Sequence, residues 1–185
     1  MKKITVYHIV HSLQLLPDGL LASGDETGEI CLWNVSVGFK EYALFGHESF
    51  VFALELIGEQ LLASGSYDQT VIVWNLTSSA VMHRLSGHTG SVTALRAVNS
   101  GVLASGSSDK TVKVWEVSSG KLVYTLLGHT NMVTALDLYG DAGDILTSNG
   151  FEEQSVKFWR ISTGKLVNSM KTFLNGWPMT SLFSY

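Results

Sequence analysis

The sequence predicts an all-β protein that repeats one small antiparallel sheet four times, and two observations carry this prediction. Three separate sequence markers recur with a common period of 41 residues. Each period also contains four short stretches of strand-forming residues, separated by residues that favour tight turns. Short turns join antiparallel neighbours, so each period predicts one twisted four-stranded sheet. No segment has the apolar spacing of an amphipathic helix of useful length.

The period is read from a tetrapeptide, a dipeptide and an aromatic residue. Leu-Ala-Ser-Gly occurs at 21–24, 62–65 and 103–106. Gly-His occurs at 46–47, 87–88 and 128–129. Tryptophan, with spacings of 41, 41 and 44 residues, occurs at Trp33, Trp74, Trp115 and Trp159. Because three independent markers share one register, they indicate a structural repeat.

The third period shows the strand pattern most clearly. Its predicted strands, rich in Val, Leu, Thr and Tyr, are 91–98, 102–106, 111–116 and 121–127. The segments between them read Asn-Ser-Gly, Ser-Ser-Asp-Lys and Ser-Ser-Gly, which are typical of tight turns. The other periods follow the same order of strands and turns.

Composition narrows the class of protein. With 185 residues, 45% of them hydrophobic and 15% charged, the chain is long and apolar enough to fold around a core. Twelve Lys and Arg against sixteen Asp and Glu give a net charge of −4, so we expect no nucleic-acid partner. The single cysteine, Cys31, excludes an internal disulfide and a cysteine-rich zinc site. We expect neither a cofactor nor a metal.

The first residues resemble the start of a secretory signal peptide. Met1-Lys2-Lys3 precedes an apolar segment, but His8, His11, Ser12 and Gln14 interrupt that segment, and no small-residue cleavage site follows it. No apolar run is long enough to span a membrane. The sequence therefore predicts an intracellular protein, cytoplasmic or nuclear, without a membrane partner.

Repeats of this length that carry Gly-His and a tryptophan resemble the WD-repeat (WD40) family of β-propellers. The resemblance covers nearly the whole chain, 1–185, and implies a propeller segment with repeats at approximately 5–45, 46–86, 87–127 and 128–171. The family's Trp-Asp pair is replaced here by Trp33-Asn34, Trp74-Asn75, Trp115-Glu116 and Trp159-Arg160. The residue after the tryptophan varies within the family, so this departure leaves the resemblance intact.

The number of blades predicts an incomplete ring. After four blades, residues 172–185 read as a partial fifth, because 179–182 align with the innermost strand at 133–136. An unclosed array exposes apolar blade faces, so we interpret the chain as a segment of a longer propeller. Self-association of two partial rings is the alternative. A closed ring of four blades comes third, since it leaves 179–182 without a place.

The resemblance implies a hydrogen-bonded network in each blade. In the family, a histidine before the first strand, a Ser or Thr on the second, the turn aspartate and the third-strand tryptophan bond to one another. The second and third repeats supply complete sets, which are His47, Ser64, Asp68 and Trp74, and His88, Ser105, Asp109 and Trp115. The fourth repeat keeps His129 and Trp159 and has Glu153 for the aspartate. The first has Val6 and Thr27 for the histidine and the aspartate, so we expect the two middle blades to be the most rigid.

The same residue types also suggest a hydrolase triad, but the repeats argue against it. His88, Ser105 and Asp109 recur as His47, Ser64 and Asp68, whereas an enzyme needs its nucleophile once. No Gly-x-Ser-x-Gly elbow surrounds these serines. The histidines outside the repeat pattern, His8, His11 and His83, match no metal-ligand spacing. We therefore expect a protein without catalytic residues.

The resemblance further implies a noncatalytic scaffold that binds partner proteins or peptides on the top face of the propeller. The family's top-face positions are the third and fifth residues after the Gly-His histidine and the residue before the turn aspartate. Here these are Phe50, Phe52 and Tyr67, then Ser91, Thr93 and Ser108, then Met132, Thr134 and Glu152, with Ile9, His11 and Glu26 by alignment in the first blade.

Three aromatic residues in one blade predict the strongest binding patch, because aromatic anchors dominate binding hot spots. The alternative for Phe50 and Phe52 is packing between blades. Two other functions stay open: the substrate-receptor part of a ubiquitin ligase, and a propeller enzyme with a site in the central channel.

Overall fold

The computed structural model describes residues 8–139, 144–149 and 155–171, and these residues form sixteen β-strands. The strands pair in chain order into four antiparallel sheets, which we call blades 1 to 4. Within the described ranges there is no helix, and hence none with the length and apolar content to cross a membrane. The prediction of an all-β fold made of four-stranded antiparallel sheets is confirmed.

The strand bounds repeat closely from blade to blade. Blade 1 contains β1 (Val10–Leu15), β2 (Leu20–Asp25), β3 (Ile30–Asn34) and β4 (Phe39–Leu44). Blade 2 contains β5 (Val51–Ile57), β6 (Leu61–Ser66), β7 (Val71–Asn75) and β8 (Ala80–Leu85). Blade 3 contains β9 (Val92–Asn99), β10 (Val102–Ser107), β11 (Val112–Glu116) and β12 (Lys121–Leu126). Blade 4 contains β13 (Val133–Tyr139), β14 (Asp144–Asn149), β15 (Ser155–Arg160) and β16 (Lys165–Lys171).

The third strand of each blade meets its outer neighbour with the same irregularity. A register shift separates the pairs formed by Leu32 and Trp33, and the same shift precedes each of the other three tryptophans, Trp74, Trp115 and Trp159. A bulge increases local twist and re-aims the following side chain. The repeated bulge therefore gives all four indole rings the same setting in their sheets.

The turn between the second and third strands needs a left-handed residue at one fixed position. That position holds Gly28, Gln69 and Lys110 in blades 1 to 3, with φ of 91°, 71° and 71°. Aspartate side chains cap this turn in blades 2 and 3, because Asp68 accepts hydrogen bonds from the Thr70 backbone N–H and hydroxyl. The cap holds the turn and also fixes where the second carboxylate oxygen lies.

Neighbouring blades pack face to face around apolar cores. We call the face of a blade that meets the preceding blade its leading face, and the opposite face its trailing face. Between blades 1 and 2, the leading-face residues Leu54, Ile72 and Trp74 pack with the trailing-face residues Ala22 and Leu44. The equivalents of Leu54, Trp74, Ala22 and Leu44 form the cores between blades 2 and 3 and between blades 3 and 4, whereas buried lysines, Lys113 and Lys157, take the place of Ile72. The hydrophobic core thus lies between the sheets, in the described part of the chain.

A glycine on the second strand sets how closely two blades approach. A Cβ at Gly24 would lie 2.5 Å from a Val51 methyl of the next blade, and a Cβ at Gly65 would lie 2.6 Å from a Val92 methyl. Gly106 meets Val133 in the same way, at 2.6 Å. Any side chain at these positions forces two packed sheets apart, which explains why each Leu-Ala-Ser-Gly ends in glycine.

Replacing Gly65 with alanine is expected to lower the free energy of unfolding by about 1–3 kcal/mol, because the added methyl overpacks the core between two blades. Gly101→Ala is the matched control, since a Cβ there meets only the Asn99 side chain, at 3.4 Å. Urea unfolding of both variants measures the difference. Equal stability of the two variants would contradict the close approach described here.

Candidate functional site

In blade 2 the four residues singled out by the repeat form one continuous hydrogen-bonded chain. The His47 ring bonds through Nδ1 to Asp68 Oδ2 and through Nε2 to Ser64 Oγ, both at 2.7 Å. The Trp74 indole N–H donates to the same Ser64 Oγ at 2.8 Å. These hydrogen bonds connect the segment before the first strand with the second strand, the third strand and the turn between them.

Blade 3 repeats this geometry closely. His88 lies 2.8 Å from both Asp109 Oδ2 and Ser105 Oγ, and the Trp115 indole N–H donates to Ser105 Oγ at 2.8 Å. The serine side chains of both networks are completely buried. A hydroxyl held at 0% exposure has no access to a substrate, so these groups act as structural connectors.

Blade 4 keeps the network with a threonine in place of the serine. The His129 Nε2 lies 2.7 Å from Thr147 Oγ1, and the Trp159 indole N–H donates to that oxygen at 3.1 Å. Sequence reasoning missed Thr147, although the family's Ser-or-Thr position on the second strand would have found it. Glu153, the predicted aspartate equivalent, lies outside the described residues.

Blade 1 has a different arrangement. The Trp33 indole N–H donates to Ser23 Oγ at 2.7 Å, as in the other blades. The buried carboxylate of Asp25 caps the turn, because Asp25 Oδ1 accepts hydrogen bonds from the backbone N–H and hydroxyl of Thr27 and from the Glu29 N–H, at 2.7–3.2 Å. Sequence reasoning missed both Ser23 and Asp25, and Val6 lies outside the described residues.

The charges of the turn aspartates follow from their hydrogen bonds. Burial alone raises the pKa of each carboxyl, but the donors around the ionised form outweigh it. The pKa of Asp68 lies well below its ordinary value, and hydrogen bonds from Thr111, the Thr89 N–H and His88 lower the pKa of Asp109 to about 2. Burial lowers the pKa of His88, and the hydrogen bond and charge of Asp109 oppose this only in part.

These directions assign the protons of the blade 3 network at neutral pH. An ionised Asp109 beside a neutral imidazole requires that Nδ1 of His88 donate to the carboxylate. The remaining ring nitrogen is then an acceptor, so the Ser105 hydroxyl donates to Nε2 while its oxygen accepts from the Trp115 indole. Every polar group in this network therefore has a hydrogen-bond partner while His88 stays uncharged. This keeps the free-energy cost of burying the network low.

A second set of residues lies together at the end of the blades that carries the Gly-His segments. The Tyr67 N–H donates to the Phe50 carbonyl at 2.9 Å, and the Ser108 N–H donates to the Ser91 carbonyl at 2.9 Å. Blade 1 has the same bond from Glu26 to Ile9, at 3.1 Å. In each of blades 1 to 3 the repeated bond joins two of the three positions that define the top face.

Four aromatic rings contact one another at this end of the molecule. His11, Phe50, Phe52 and Tyr67 have ring centroids 5.4–6.2 Å apart in five pairs, mostly edge to face. We call these residues the aromatic cluster. His11 belongs to blade 1 and the other three to blade 2, so the cluster spans the junction between the two blades.

A shallow groove of about 420 Å³ runs from the aromatic cluster toward blade 4. It is lined by six of the predicted top-face residues, Phe52, Tyr67, Ser91, Thr93, Met132 and Thr134. Ser108 is half-buried, and Glu152 lies outside the described residues. In the part of the chain that the structure describes, no group of His, Cys, Asp and Glu side chains is arranged to hold a metal ion.

Repeated four-stranded blades with a shared internal network define a segment of a WD-type β-propeller. A family model described as WD domain, G-beta repeat matches residues 38–75, 79–116 and 120–160, more than half of the chain. The chain belongs to the WD40-repeat family. The predicted family is thus confirmed, and propellers of this family are typically noncatalytic.

Solved structures show the same fold. The chain is similar to U3-55K, with 26% identity and a TM-score of 0.83 over 93% of this chain and 54% of that one. It is similar to the WD40 repeats of RRP9, with 27% identity, a TM-score of 0.79, and 88% and 51% of the two chains covered. A chain of the mitotic checkpoint complex matches with 24% identity and a TM-score of 0.84, over 92% and 53%, which shows the fold alone.

The chain spans about half the length of these solved structures. No match is found among curated protein sequences.

Removing the tryptophan or the histidine of the blade 3 network is expected to destabilise the protein. Trp115→Ala leaves a large cavity and should lower the free energy of unfolding by about 3–5 kcal/mol. His88→Ala leaves Asp109 and Ser105 without their shared partner and should cost about 2–3 kcal/mol. His83→Ala is the control, because His83 lies outside the network and bonds only to the Ser118 carbonyl. Thermal melts that coincide for all three variants would refute a structural network.

The same network predicts acid sensitivity. The pKa of Asp109 falls from its ordinary 3.8 to about 2 on folding, so its stabilisation is complete above pH 3.8 and is lost as the pH falls toward 2. The lowered pKa of His88 removes further stability as the pH falls below its ordinary value of 6.5. Between pH 4 and 2, the Asp109→Asn variant should lose about 2 kcal/mol less of its unfolding free energy than the wild type loses. Parallel stability profiles for the variant and the wild type would contradict this.

Proposed function

We propose that this protein is a noncatalytic scaffold that binds other proteins or peptides on the top face of its propeller segment. WD40-repeat proteins generally serve as protein-interaction scaffolds, and membership of the family supports this class of function. The observation that carries the proposal for this chain is the aromatic cluster at the edge of the groove.

The aromatic cluster has the properties of a binding hot spot. The Tyr67 side chain is 56% exposed and Phe50 is 37% exposed, which is unusual for large rings that also pack on one another. Because each ring is held by two or three others, little side-chain entropy is lost when a partner covers them. Tyrosine and phenylalanine in such a setting provide apolar area, and the tyrosine hydroxyl adds a hydrogen-bonding group.

The groove supports a partner that inserts an apolar side chain. Its aromatic wall is formed by Phe52 and Tyr67, and the Met132 side chain provides an adaptable apolar surface. The Thr93 hydroxyl donates to the Val133 carbonyl, so it faces the groove already satisfied. Glu26, at a top-face position of blade 1 where its N–H donates to the Ile9 carbonyl, favours a partner segment with basic residues.

Packing between blades is the competing role for the two phenylalanines. The core between blades 1 and 2 is formed by aliphatic residues and Trp74, and neither Phe50 nor Phe52 is among its residues. This supports the role at the surface. We also propose an intracellular location, cytoplasmic or nuclear, which the single, buried Cys31 supports.

Affinity capture with quantitative mass spectrometry tests the proposed function. We expect the partners retained by the wild-type chain to be lost from Tyr67→Ala and Phe50→Ala. Phe39→Ala is the control, because Phe39 is a 67% exposed aromatic residue on the outer strand of blade 1, outside the aromatic cluster. With the captured partner in hand, calorimetry should show that each substitution weakens binding about 30-fold, which corresponds to about 2 kcal/mol. Undiminished affinity together with a lowered melting temperature would return these rings to the core.

A further inference from the structure

Carboxylates lie close to the aromatic cluster at the top face. Glu48 is exposed, and its N–H donates to Asp68 Oδ2 at 3.1 Å, so Glu48 lies beside Tyr67, the residue that precedes Asp68. The Glu48 carboxylate makes no hydrogen bond or ion pair with any residue that the structure describes. In blade 1, Glu26 occupies the top-face position that corresponds to Tyr67. The cluster therefore has an unpaired negative charge next to one of its exposed rings.

Negative charge is in excess around the cluster. Three segments at the top face of blades 1 and 2 carry residues of the cluster or lie next to it, namely 25–29, 45–50 and 66–70. Together they contain five Asp and Glu and no Lys or Arg. Lys40 on the outer strand of blade 1 pairs with Glu29. Arg84 on the outer strand of blade 2 donates to the Gly46 carbonyl. Carboxylates still outnumber these two cations, so the local field attracts a cationic group from a partner.

The geometry of the rings decides which cation fits. Aromatic faces attract both guanidinium and quaternary ammonium groups. The rings of the cluster have centroids 5.4–6.2 Å apart, so they touch one another and enclose no space for a trimethylammonium group. A planar guanidinium needs no enclosure, because it stacks on one open ring face. Tyr67, which is 56% exposed, provides such a ring.

The groove accommodates the rest of an arginine side chain. The methylene groups of arginine pack along apolar walls while the charged end stays in contact with water. Phe52 and Met132 provide such walls, and Tyr67 lines the same groove. Lysine fits less well, because its ammonium is a strongly hydrated point charge that does not stack. A carboxylate such as that of Glu48 accepts two parallel hydrogen bonds from a guanidinium.

We infer that the aromatic cluster binds an arginine side chain of the partner. The guanidinium stacks on the Tyr67 ring and pairs with the Glu48 carboxylate, and the methylene groups lie in the groove. This inference rests on the proposed top-face function, and it names the residue that the partner supplies.

Titration of the full chain with short peptides, followed by nuclear magnetic resonance, tests the inference. The probe is a polyalanine peptide with one central arginine, and it should shift the ring signals of Phe50 and Tyr67. The matched peptide carries citrulline, which has nearly the shape of arginine but no charge. We expect the arginine peptide to bind about 5- to 30-fold more tightly than the citrulline peptide. A third peptide, with trimethyllysine, should bind more weakly than the arginine peptide.

Variants separate stacking from plain apolar contact. Tyr67→Leu keeps apolar area but removes the ring, so it should bind the arginine and citrulline peptides equally. Tyr67→Phe keeps the ring and should retain the preference for arginine. Glu48→Gln should weaken binding of the arginine peptide about 2- to 5-fold, as expected for a surface ion pair. Phe39→Ala is the control outside the cluster and should bind like the wild type. Thermal melts establish that each variant is folded.

Several results would overturn the inference. An arginine peptide that causes no shift at millimolar concentration, or that binds no better than the citrulline peptide, would refute it. A Tyr67→Leu variant that keeps the preference for arginine would also refute it, and tighter binding of trimethyllysine would identify a different cation. If these tests fail while captured partners still depend on Tyr67, the scaffold function stands without the arginine. If the arginine peptide binds as expected but no partner is captured, the scaffold function fails instead.

Discussion

The fold depends on one buried hydrogen-bond network, which is complete in blades 2 and 3 and whose bond from the indole to a hydroxyl is made in all four blades. In blade 3 it runs from Asp109 through His88 and Ser105 to Trp115, with each step at 2.8 Å. Strands of five to eight residues provide few ladder bonds, and a sheet of four such strands has little to fix its register. The hydrogen-bond network fixes the register, because one hydroxyl on the second strand accepts a hydrogen bond from the third-strand indole and also bonds to a histidine from outside the sheet. The indole then provides the apolar surface on which the preceding blade packs, so the polar network and the apolar core share one residue.

Sequence periodicity predicts this network well where the repeat is exact and poorly where a polar group moves by a few positions. Blades 2 and 3 keep identical residue types at identical spacing, and their geometry follows directly. In blade 1 the position of the turn aspartate holds Thr27, which suggests a lost interaction. The structure instead caps the turn with Asp25, two residues earlier, because its carboxylate reaches the Glu29 N–H, which is the equivalent of the Thr70 N–H that Asp68 caps in blade 2. A sequence alignment shows that the turn aspartate is missing at position 27, but it does not show that Asp25 replaces it as the hydrogen-bond acceptor.

The aromatic cluster could be predicted from the sequence only in part. Phe50, Phe52 and Tyr67 are recognised by their positions in blade 2, but their contact with His11 depends on how blade 1 is placed beside them. The alignment assigns His11 to a top-face position of blade 1, but it gives no indication of which side chains contact it. The repeat pattern also does not predict how exposed these side chains are, because the equivalent residues in blade 3 are of other types, Ser91, Thr93 and Ser108. The contrast between blades therefore appears only at the junction, where the proposed binding patch lies.

Residues that differ from blade to blade also form contacts between neighbouring blades. The innermost strands of blades 2 to 4 carry Glu55, Arg96 and Asp137 at equivalent positions, and the signs of their charges alternate. Arg96 lies 3.2 Å from Asp137 and 3.9 Å from Glu55, so it bridges both neighbouring blades. Half-exposed ion pairs of this kind contribute only about 0.2–1 kcal/mol each. They link three consecutive blades at their innermost strands, because the Arg96 guanidinium of blade 3 lies between a carboxylate of blade 2 and one of blade 4. The repeated markers therefore build each blade, and positions that differ between repeats add polar contacts from one blade to the next.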